Sequence, residues 1–425
     1  MGRVQTPTLG FIVERELERD AHVPIPYHSV KVESNAVSFK VRFHEKDDDD
    51  AWKDDDGKHY PDRTFNGDLA EEAIEQIRTT QELILESVNE GKNHRKAQPP
   101  FTTESMLRAA NGRMGWSIGR TNRGATALYQ AGHITYIRTD STRTSKAARE
   151  RIRTLIEKEY GSNHLGDGAL GPDAKKGSSN VQDAHEAIRP TQPEIKTLSD
   201  ADSDQQSLYR LIWGRFAGSQ MSDSIRERRN MVMKVENLEL PLYGTSSWRI
   251  HAGWEAVYSA EKDVKTEPPK IGFEIGTKWT FSSTEDNPLL TSDETKPPRR
   301  FTESSIIQEM KKADIGRPST YLTTVGKLVD RGYVNKDGSS LIPTEHGRLL
   351  WIEVVPFYGI DQNSSGTVSE GLFTPRFTAL MESSLDEVED GDTSGSTVWH
   401  KFVTDFRNMH NNALELRKQK PTEKQ

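Results

Sequence analysis

The hydrophobic period of this chain changes twice, and this change limits the folds that the chain can adopt. Apolar residues alternate with polar ones from Val30 to Phe43 and again from Met231 to Tyr258, which is the period of a half-buried strand. From Pro99 to Met221 the apolar residues recur instead at helical spacing. Strands on both sides of a helical block predict one β domain interrupted by an inserted helical one.

Helical patterns near the two ends of the chain complete the expected architecture. The first helix runs from Pro7 to Asp20, a shorter one follows from Leu69 to Gln81, and the chain after Phe301 is mostly helical. With 425 residues, about three domains are expected. We therefore expect a multidomain α plus β protein with three parts: a helical base from residues 1–23 and 290–425, a β-rich part from 24–98 and 222–289, and the helical insertion from 99–221.

Composition excludes several classes of site. The chain has no cysteine, which excludes disulfides, cysteine zinc sites and thiol nucleophiles. The aspartate-rich run from Asp47 to Gly57 lacks the spacing and the final glutamate of a calcium loop, so it predicts a solvated hairpin tip. No apolar stretch has the length of a membrane span and no charged-then-apolar leader opens the chain, so we expect a cytoplasmic protein.

The basic residues are concentrated, although the whole chain carries a formal net charge of −8. Ten arginines and lysines lie between Arg108 and Arg153, against two acidic residues. A positive segment of this kind attracts a phosphate backbone, and Trp116, Tyr129 and Tyr136 lie among its charges, where bases could stack. An ordinary basic helix face with core aromatics is the alternative, but the segment favours nucleic acid.

A second segment, from Ile306 to Val354, has the element order of a winged helix. Residues Ile306 to Ala313 form the first predicted helix, Ser319 and Thr320 cap a second one, and a strand pair and a helix capped by Thr344 follow. This order occurs in DNA-binding proteins and equally in purely structural roles.

The stretch from Ile134 to Arg143 carries the most reactive combination of side chains. A phenol is a weak nucleophile in neutral water because its ordinary pKa is about 10. Arg138, two residues after Tyr136, would favour the phenolate and would neutralise a phosphate under attack. A buried core tyrosine is the alternative, and the Tyr-x-Arg pattern alone favours the core.

Two further stretches place cations where a phosphate could bind. His185 and Arg189 stand four residues apart, so both could face one phosphate from a helix or a turn. This is not a zinc protease motif, because Arg189 stands where that motif needs a second histidine. Arg317 and the Thr320 hydroxyl lie at a predicted helix N-terminus, where backbone N–H groups and the helix dipole bind phosphate.

With these motifs the chain resembles the type IA DNA topoisomerases, the family of topoisomerase I, topoisomerase III and reverse gyrase. The motifs match in the family's order and spacing, and they are Gly2–Thr8, Pro99–Thr102, Leu128–Ser141, Ala184–Thr191, Phe301–Glu303, and Ile315–Tyr321 with Arg331–Val334. The resemblance covers most of the chain, from Gly2 to about Asp392. It implies a toroid-like gate with a helical base that contains winged-helix-like elements, a β-rich arch, and a moving insertion that carries the tyrosine.

The resemblance also implies a reaction and roles for individual residues. Tyr136 would attack DNA and form a phosphotyrosine bond to the 5′ end of a cut single strand, Arg138 would hold the scissile phosphate, and His185 would contact a nearby phosphate. Strand passage and religation would follow without ATP, on single-stranded or underwound DNA of the nucleoid. The residues expected to line the DNA groove are Arg3, Arg113, Arg120, Arg189, Arg317, Thr320 and Arg331.

The family's metal-binding Toprim domain precedes the Gly2–Thr8 motif, which here begins at the second residue. The resemblance therefore implies that Mg²⁺ is bound by a Toprim domain outside this chain, with no metal site and no zinc within it. We expect a piece of a longer protein or a separate Toprim-containing partner chain. A non-catalytic single-stranded DNA-binding module is the alternative. A relaxase would need a metal-binding histidine cluster, and His133, His164 and His185 are not spaced for one.

Overall fold

A computed structural model gives the fold of residues 2–167, 186–258, 264–358 and 371–419. The helices are α1 (Gln5–Asp20), α2 (Gly67–Thr80), α3 (Thr103–Met114), α4 (Ile118–Gln130), α5 (Lys146–Tyr160), α6 (Ser203–Ser219), α7 (Glu303–Lys312), α8 (Pro318–Asp330), α9 (Glu345–Leu349), α10 (Pro375–Glu389) and α11 (Gly395–Gln419). The strands are β1 (Pro26–Ser34), β2 (Val37–Val41), β3 (Glu82–Arg95), β4 (Ser224–Val235), β5 (Leu238–His251), β6 (Lys278–Thr280), β7 (Leu289–Glu294), β8 (Val334–Asp337) and β9 (Ser340–Pro343). The expected multidomain α plus β class is confirmed.

Seven strands form one antiparallel sheet in the order β6-β3-β4-β5-β2-β1-β7. Apolar residues of the strands and of α2 make its core, in which Phe39, Leu83, Leu85, Met233, Leu242 and Trp279 are fully buried. A side chain at Gly244 would lie 2.4 Å from the Phe39 ring, so glycine there lets the ring cross the neighbouring strand.

The sheet corrects one expected boundary. Residues 290–294 were expected in the helical base, but they belong to β7, which pairs with β1 through Tyr27 and Asp293. The strand has only six residues, and its Thr, Ser, Asp and Glu side chains give no alternating apolar signal. The base therefore begins after residue 294.

The insertion has a hydrophobic core of its own, built mainly from α3, α4, α5 and α6. Its fully buried side chains include Ala110, Ala125, Leu128, Ile152, Ile188, Leu208, Ile212 and Phe216. Except for Ile188, which lies outside the helices, these residues follow the helical spacing expected for this block. Helix α4 begins at Ile118, and the Ser117 side chain caps its N-terminus.

The base has a separate core, which also takes in residues of the insertion. It is built from α1, α7, α8 and the β8–β9 hairpin, with Leu9, Val13, Ile306, Met310, Leu328 and Val334 buried in it. Leu107 of α3 and Ile118 of α4 are buried in this same core. The insertion is therefore seated directly on the base.

The winged-helix order is confirmed in the base. Helices α7 and α8 are followed by the β8–β9 hairpin and by α9, whose N-terminus is capped by the Thr344 hydroxyl, as expected. After α9 the chain continues as a π-helical stretch, Leu350–Val354, and a 3₁₀ helix, Val355–Tyr358. Among the described residues, no helix is long and apolar enough to cross a membrane.

One local prediction was wrong, and a second was incomplete. Trp254 and Tyr258 were assigned to a strand, but a 3₁₀ helix occupies Gly253–Val257, because alternation over so few residues does not distinguish the two. The aspartate-rich run is not a simple solvated tip. Trp52 in its middle is fully buried, and its indole N–H donates to the Pro26 carbonyl at 3.0 Å.

Candidate functional site

Tyr136 lies in a segment between α4 and α5 that has no regular secondary structure apart from an isolated bridge. Ile137 and Thr139 of this segment are buried, whereas Tyr136 is 38% exposed and Arg138 is also exposed. Successive side chains of an extended chain point to opposite sides. Tyr136 and Arg138 therefore share the solvent side of the segment, and Tyr136 is not the core tyrosine of the alternative interpretation.

Thr103, the first residue of α3, binds one part of this segment. Its buried hydroxyl accepts a hydrogen bond from the Thr139 N–H at 2.9 Å and lies 2.7 Å from the Ile137 carbonyl oxygen. The Thr103 N–H donates to the Thr139 carbonyl at 2.8 Å. Thr102 fixes this end of α3 because it forms a capping box with Ser105.

Residues 187–191 bind the other part of the segment. The Thr135 hydroxyl donates to the Ala187 carbonyl at 2.7 Å and accepts from the Arg189 N–H at 3.0 Å. The Thr135 N–H in turn donates to the Arg189 carbonyl at 2.9 Å. Two motifs that are about fifty residues apart in sequence are thus side by side, and both hold the backbone next to Tyr136.

The Arg189 side chain points into this junction and is only 12% exposed. Its guanidinium pairs with Glu186 and donates to the Pro190 carbonyl at 3.0 Å. The Arg189 side chain therefore supports the tyrosine segment from its buried side. Its expected contact with DNA stays a prediction, and it would require the side chain to leave these partners.

In the folded structure, ion pairs neutralise part of the positive charge that the sequence of the basic segment suggests. Three of its arginines pair with acidic residues outside the segment, at N–O distances of 2.6–3.3 Å: Arg108 with Glu104, Arg120 with Asp204, and Arg151 with Glu194. Arg113 is exposed and lies over the Tyr258 ring, 4.3 Å from its centroid. Arg138 forms no ion pair with any described residue, so its charge is available on the solvent side.

Arg317 and Thr320 are at a helix N-terminus, as predicted, but their roles in the cap differ. Arg317 is the N-cap residue of α8, and its N–H donates to the Thr320 hydroxyl at 2.8 Å. Ser319 and Thr320 were expected to cap the helix, whereas both lie within its first turn. Pro318 takes the first helical position, where its missing N–H has no cost.

Helix α10 supplies acidic partners that sequence reasoning missed. Glu382 lies 3.2 Å from the Arg3 guanidinium, and Asp386 accepts from Arg317 at 2.7 Å. The two acids stand one helical turn apart, so they form a stripe against the base. Nothing in the sequence pairs them with cations that are 69 or more residues away. The guanidinium of Arg331 donates to the Gln5 side chain at 2.8 Å.

Tyr321 shows that the start of α8 faces the insertion. The pKa of the Tyr321 phenol is raised to about 12, mainly by burial; Arg317 opposes this rise, and Asp140 and Glu104 contribute to it. Since Asp140 lies just beyond Arg138 in the tyrosine segment, the candidate site is located where the insertion meets the base. The buried Tyr321 hydroxyl stays protonated at neutral pH.

Polar contacts join the insertion to the base next to this site. A Glu303 carboxylate oxygen of α7 accepts from the Ile118 N–H, the first of α4, at 2.8 Å, and Glu303 also pairs with Lys336. A further contact runs from Ser304 to Asn111 at 2.8 Å. Sequence reasoning missed Glu303 because its partner is a backbone group 185 residues away.

Two expectations concern residues or groups that the structure does not place. His185 lies outside the described residues. The magnesium that the resemblance implies has no fitting donor set in the described part of the chain, where no three His, Asp or Glu side chains come together as a metal site requires.

Comparison with known proteins points to one family. A family model described as DNA topoisomerase matches residues 1–400. DNA topoisomerase 1 of Thermotoga maritima is 33% identical over 420 residues, which cover 96% of this chain and 60% of that protein. DNA topoisomerase 1 of Escherichia coli K12 is 30% identical over 414 residues, covering 95% of this chain and 44% of that protein.

A solved structure extends the likeness to the fold. Full-length topoisomerase I from Thermotoga maritima superposes with a TM-score of 0.76 at 30% identity, covering 96% of this chain and 62% of that one. The chain thus spans between two fifths and two thirds of the length of these relatives. The match of the family model over residues 1–400 and the shared fold lead to one conclusion. The chain belongs to the type IA DNA topoisomerase family.

Proposed function

We propose that this chain is the strand-cleaving part of a type IA topoisomerase, with Tyr136 as the nucleophile. It cuts one strand of single-stranded or underwound DNA, lets another strand pass and reseals the cut. The observation that carries this proposal is the pairing of an exposed phenol with an exposed guanidinium, Arg138, on the same side of a fixed segment. An active phenol must be reachable by DNA, and a structural one would be buried.

The proposed step exchanges one ester for another. The exposed Tyr136 phenol gives its proton to solvent, and its oxygen attacks the phosphorus of a phosphodiester. The bond from phosphorus to the 3′ oxygen then breaks, and that oxygen takes up a proton. The 5′ phosphate then remains on the tyrosine, and the reverse reaction reseals the strand without ATP. Arg138 neutralises the charge of the phosphate under attack, which is the largest electrostatic need of such a transfer.

The remaining DNA contacts follow from the same family membership. We propose that the strand lies between the insertion and the base, along Arg3, Arg113, Arg120, Arg317, Thr320 and Arg331, and that His185 and Arg189 supply further phosphate contacts. Arg3, Arg120 and Arg317 hold carboxylates in the described structure. A phosphate that binds one of these arginines would therefore displace its carboxylate partner. In this respect the site differs from a groove that is lined by unpaired cations.

The proton for the departing 3′ oxygen comes, in this proposal, from a Toprim domain that also binds Mg²⁺. That domain belongs either to a longer polypeptide that contains this chain or to a separate partner chain. Metal bound there would stabilise phosphate charge, while the residues of this chain attack, hold and orient the strand. Because the substrate is chromosomal DNA, we place the protein at the nucleoid.

Covalent capture of DNA tests the proposal. The chain is mixed with single-stranded DNA labelled at its 3′ ends, with and without a Toprim domain and Mg²⁺, and separated on a denaturing gel. We expect a covalent adduct when the domain is added and none with Tyr136→Phe. Tyr243→Phe is the matched control, since Tyr243 is also 38% exposed but lies on β5.

Two results would contradict the proposal. An adduct that survives Tyr136→Phe would remove the nucleophile. Tight DNA binding with no adduct under any condition would instead support the alternative of a non-catalytic DNA-binding module.

A further inference from the structure

Arg138 can neutralise the phosphate under attack only if the backbone that carries its side chain is held in one fixed position. The segment from Tyr136 to Asp140 pairs with no strand in the described structure, so no sheet ladder fixes it. Its burial pattern places Ile137 and Thr139 inside and Arg138 outside. The contacts of the two inward residues therefore decide where the guanidinium lies.

We propose that Thr103 is the positioning residue of Arg138, an inference that rests on the proposed function. Its hydroxyl contacts the residues on both sides of Arg138, since it accepts from the Thr139 N–H at 2.9 Å and donates to the Ile137 carbonyl, 2.7 Å away. The Thr103 N–H donates to the Thr139 carbonyl at 2.8 Å, so three hydrogen bonds from one residue hold this stretch.

The position of Thr103 is itself fixed relative to the base. It is the first residue of α3, and the next residue, Glu104, lies 3.7 Å from Lys311 of α7. Leu107, one turn further along α3, is buried in the base core. Thr103 therefore connects the position of Arg138 to the packing of the insertion against the base, which is the part of the protein that contains Arg317 and Thr320.

This arrangement predicts an effect on the chemical step and little effect on binding. Strand binding is spread over many cations, so the loss of one hydroxyl that touches no DNA leaves it nearly unchanged. Transfer to the tyrosine depends on alignment, and a misplacement of about 1 Å costs on the order of 100-fold in rate. Thr103 contacts no reacting atom and acts through Arg138.

The test compares Thr103→Val, which keeps the shape and removes the hydroxyl, with Thr103→Ser, which keeps the hydroxyl. Thr121→Val is the matched control, because Thr121 is equally buried in the insertion and its hydroxyl donates only to the Ser117 carbonyl of its own helix. Each variant is measured for single-stranded DNA affinity, and for the rate of adduct formation at saturating DNA with the Toprim domain and Mg²⁺ present.

We expect Thr103→Val to slow adduct formation by about 10- to 100-fold with an affinity within about twofold of the unmodified chain. Thr103→Ser and Thr121→Val should keep the rate within about threefold. In the Arg138→Ala background, Thr103→Val should cost no further rate, because the two residues act in one unit. This last comparison separates positioning from a general loss of structure.

The outcomes separate this inference from the proposed function. If the unmodified chain forms no adduct, the proposed function fails. If it forms an adduct and Thr103→Val forms it equally fast, only the positioning role fails. Loss of DNA affinity in Thr103→Val, or an additive effect with Arg138→Ala, would mean that Thr103 only maintains the fold and would overturn the inference.

Discussion

The rings of Tyr129 and Tyr136 meet edge to face, with their centroids 5.4 Å apart and their planes at 65°. Tyr129 lies in the last turn of α4, and both rings are partly exposed. The contact therefore gives the Tyr136 ring a support that does not depend on the hydrogen bonds of its own backbone. An edge-to-face pair of this kind contributes about 0.5–1.5 kcal/mol beyond burial.

The ring pair leads to a first prediction. Tyr129→Ala should slow adduct formation about two- to tenfold, because the Tyr136 ring then samples orientations that cannot attack. Tyr129→Phe keeps the ring and should react at the original rate. Single-turnover rates with the Toprim domain present measure both. Equal rates for the alanine and phenylalanine variants would show that the ring contact does not orient the nucleophile.

The charge of Arg138 leads to a second prediction, on salt dependence. The chain should bind single-stranded DNA more tightly than duplex, with an affinity that falls steeply as salt rises. Arg138→Ala should reduce the slope of log affinity against log salt by about 0.7, the value for one phosphate contact on a single strand. Arg151→Ala is the control, since Arg151 is held by Glu194 at 2.6 Å. Equal slopes in all three proteins would contradict a phosphate contact by Arg138.

A third prediction concerns acid. Glu16 of α1 is buried, and its two oxygens accept from Arg300 at 2.8 and 2.6 Å. These hydrogen bonds hold the pKa of Glu16 below its ordinary value. A carboxylate with a lowered pKa in the folded state stabilises the fold above its unfolded pKa, and this contribution is lost as the pH falls through the folded pKa.

Glu16→Gln should therefore lower the free energy of unfolding at pH 7 by about 1.5–3 kcal/mol. The difference from the unmodified chain should shrink as the pH falls below about 4. Urea unfolding at several pH values measures it. Glu18→Gln, which loses an exposed pair with Arg15, should change stability by less than about 1 kcal/mol at any pH. A loss in Glu16→Gln that is independent of pH would rule out the carboxylate as its source.

The sequence predicted the elements of the site better than their partners. The position of Tyr136 beside Arg138, the winged-helix order and the helix start at Arg317 all depend on local spacing, which the sequence carries. The pairing of Arg120 with Asp204 and of Arg3 with Glu382 joins residues that are distant in sequence, and no local pattern encodes it. For this reason, the sequence overestimated the unpaired positive charge of the basic segment.

The same limit explains why Thr103 was missed. A threonine at the start of a helix is an ordinary capping residue in sequence, and here the cap is its neighbour Thr102. Only the packing of α3 against the tyrosine segment gives the Thr103 hydroxyl its contacts. The wrong strand at Trp254 has a related cause, since a 3₁₀ turn seated against α6 has the same short alternation of apolar residues as a strand.

The Glu303 carboxylate is one of the polar groups that join the insertion to the base. Glu303 accepts from the Ile118 N–H at 2.8 Å, at the N-terminus of α4, and it also pairs with Lys336 of the β8–β9 hairpin. A carboxylate at a helix N-terminus is stabilised both by the hydrogen bond and by the helix dipole. Breaking this contact must accompany any separation of insertion and base.

Glu303→Ala should therefore shift the insertion away from the base. A hydrogen bond to a charged group contributes about 1.5–3 kcal/mol, so the ratio of separated to seated forms should rise about tenfold or more. Because the chain has no cysteine, dyes on Glu150→Cys in α5 and Lys327→Cys in α8 would be the only labels, and energy transfer between them reports the separation. Glu309→Ala, on the same helix α7 and paired only with Lys312, is the control. Unchanged transfer in Glu303→Ala would show that the buried contacts of Leu107 and Ile118 suffice to hold the insertion closed.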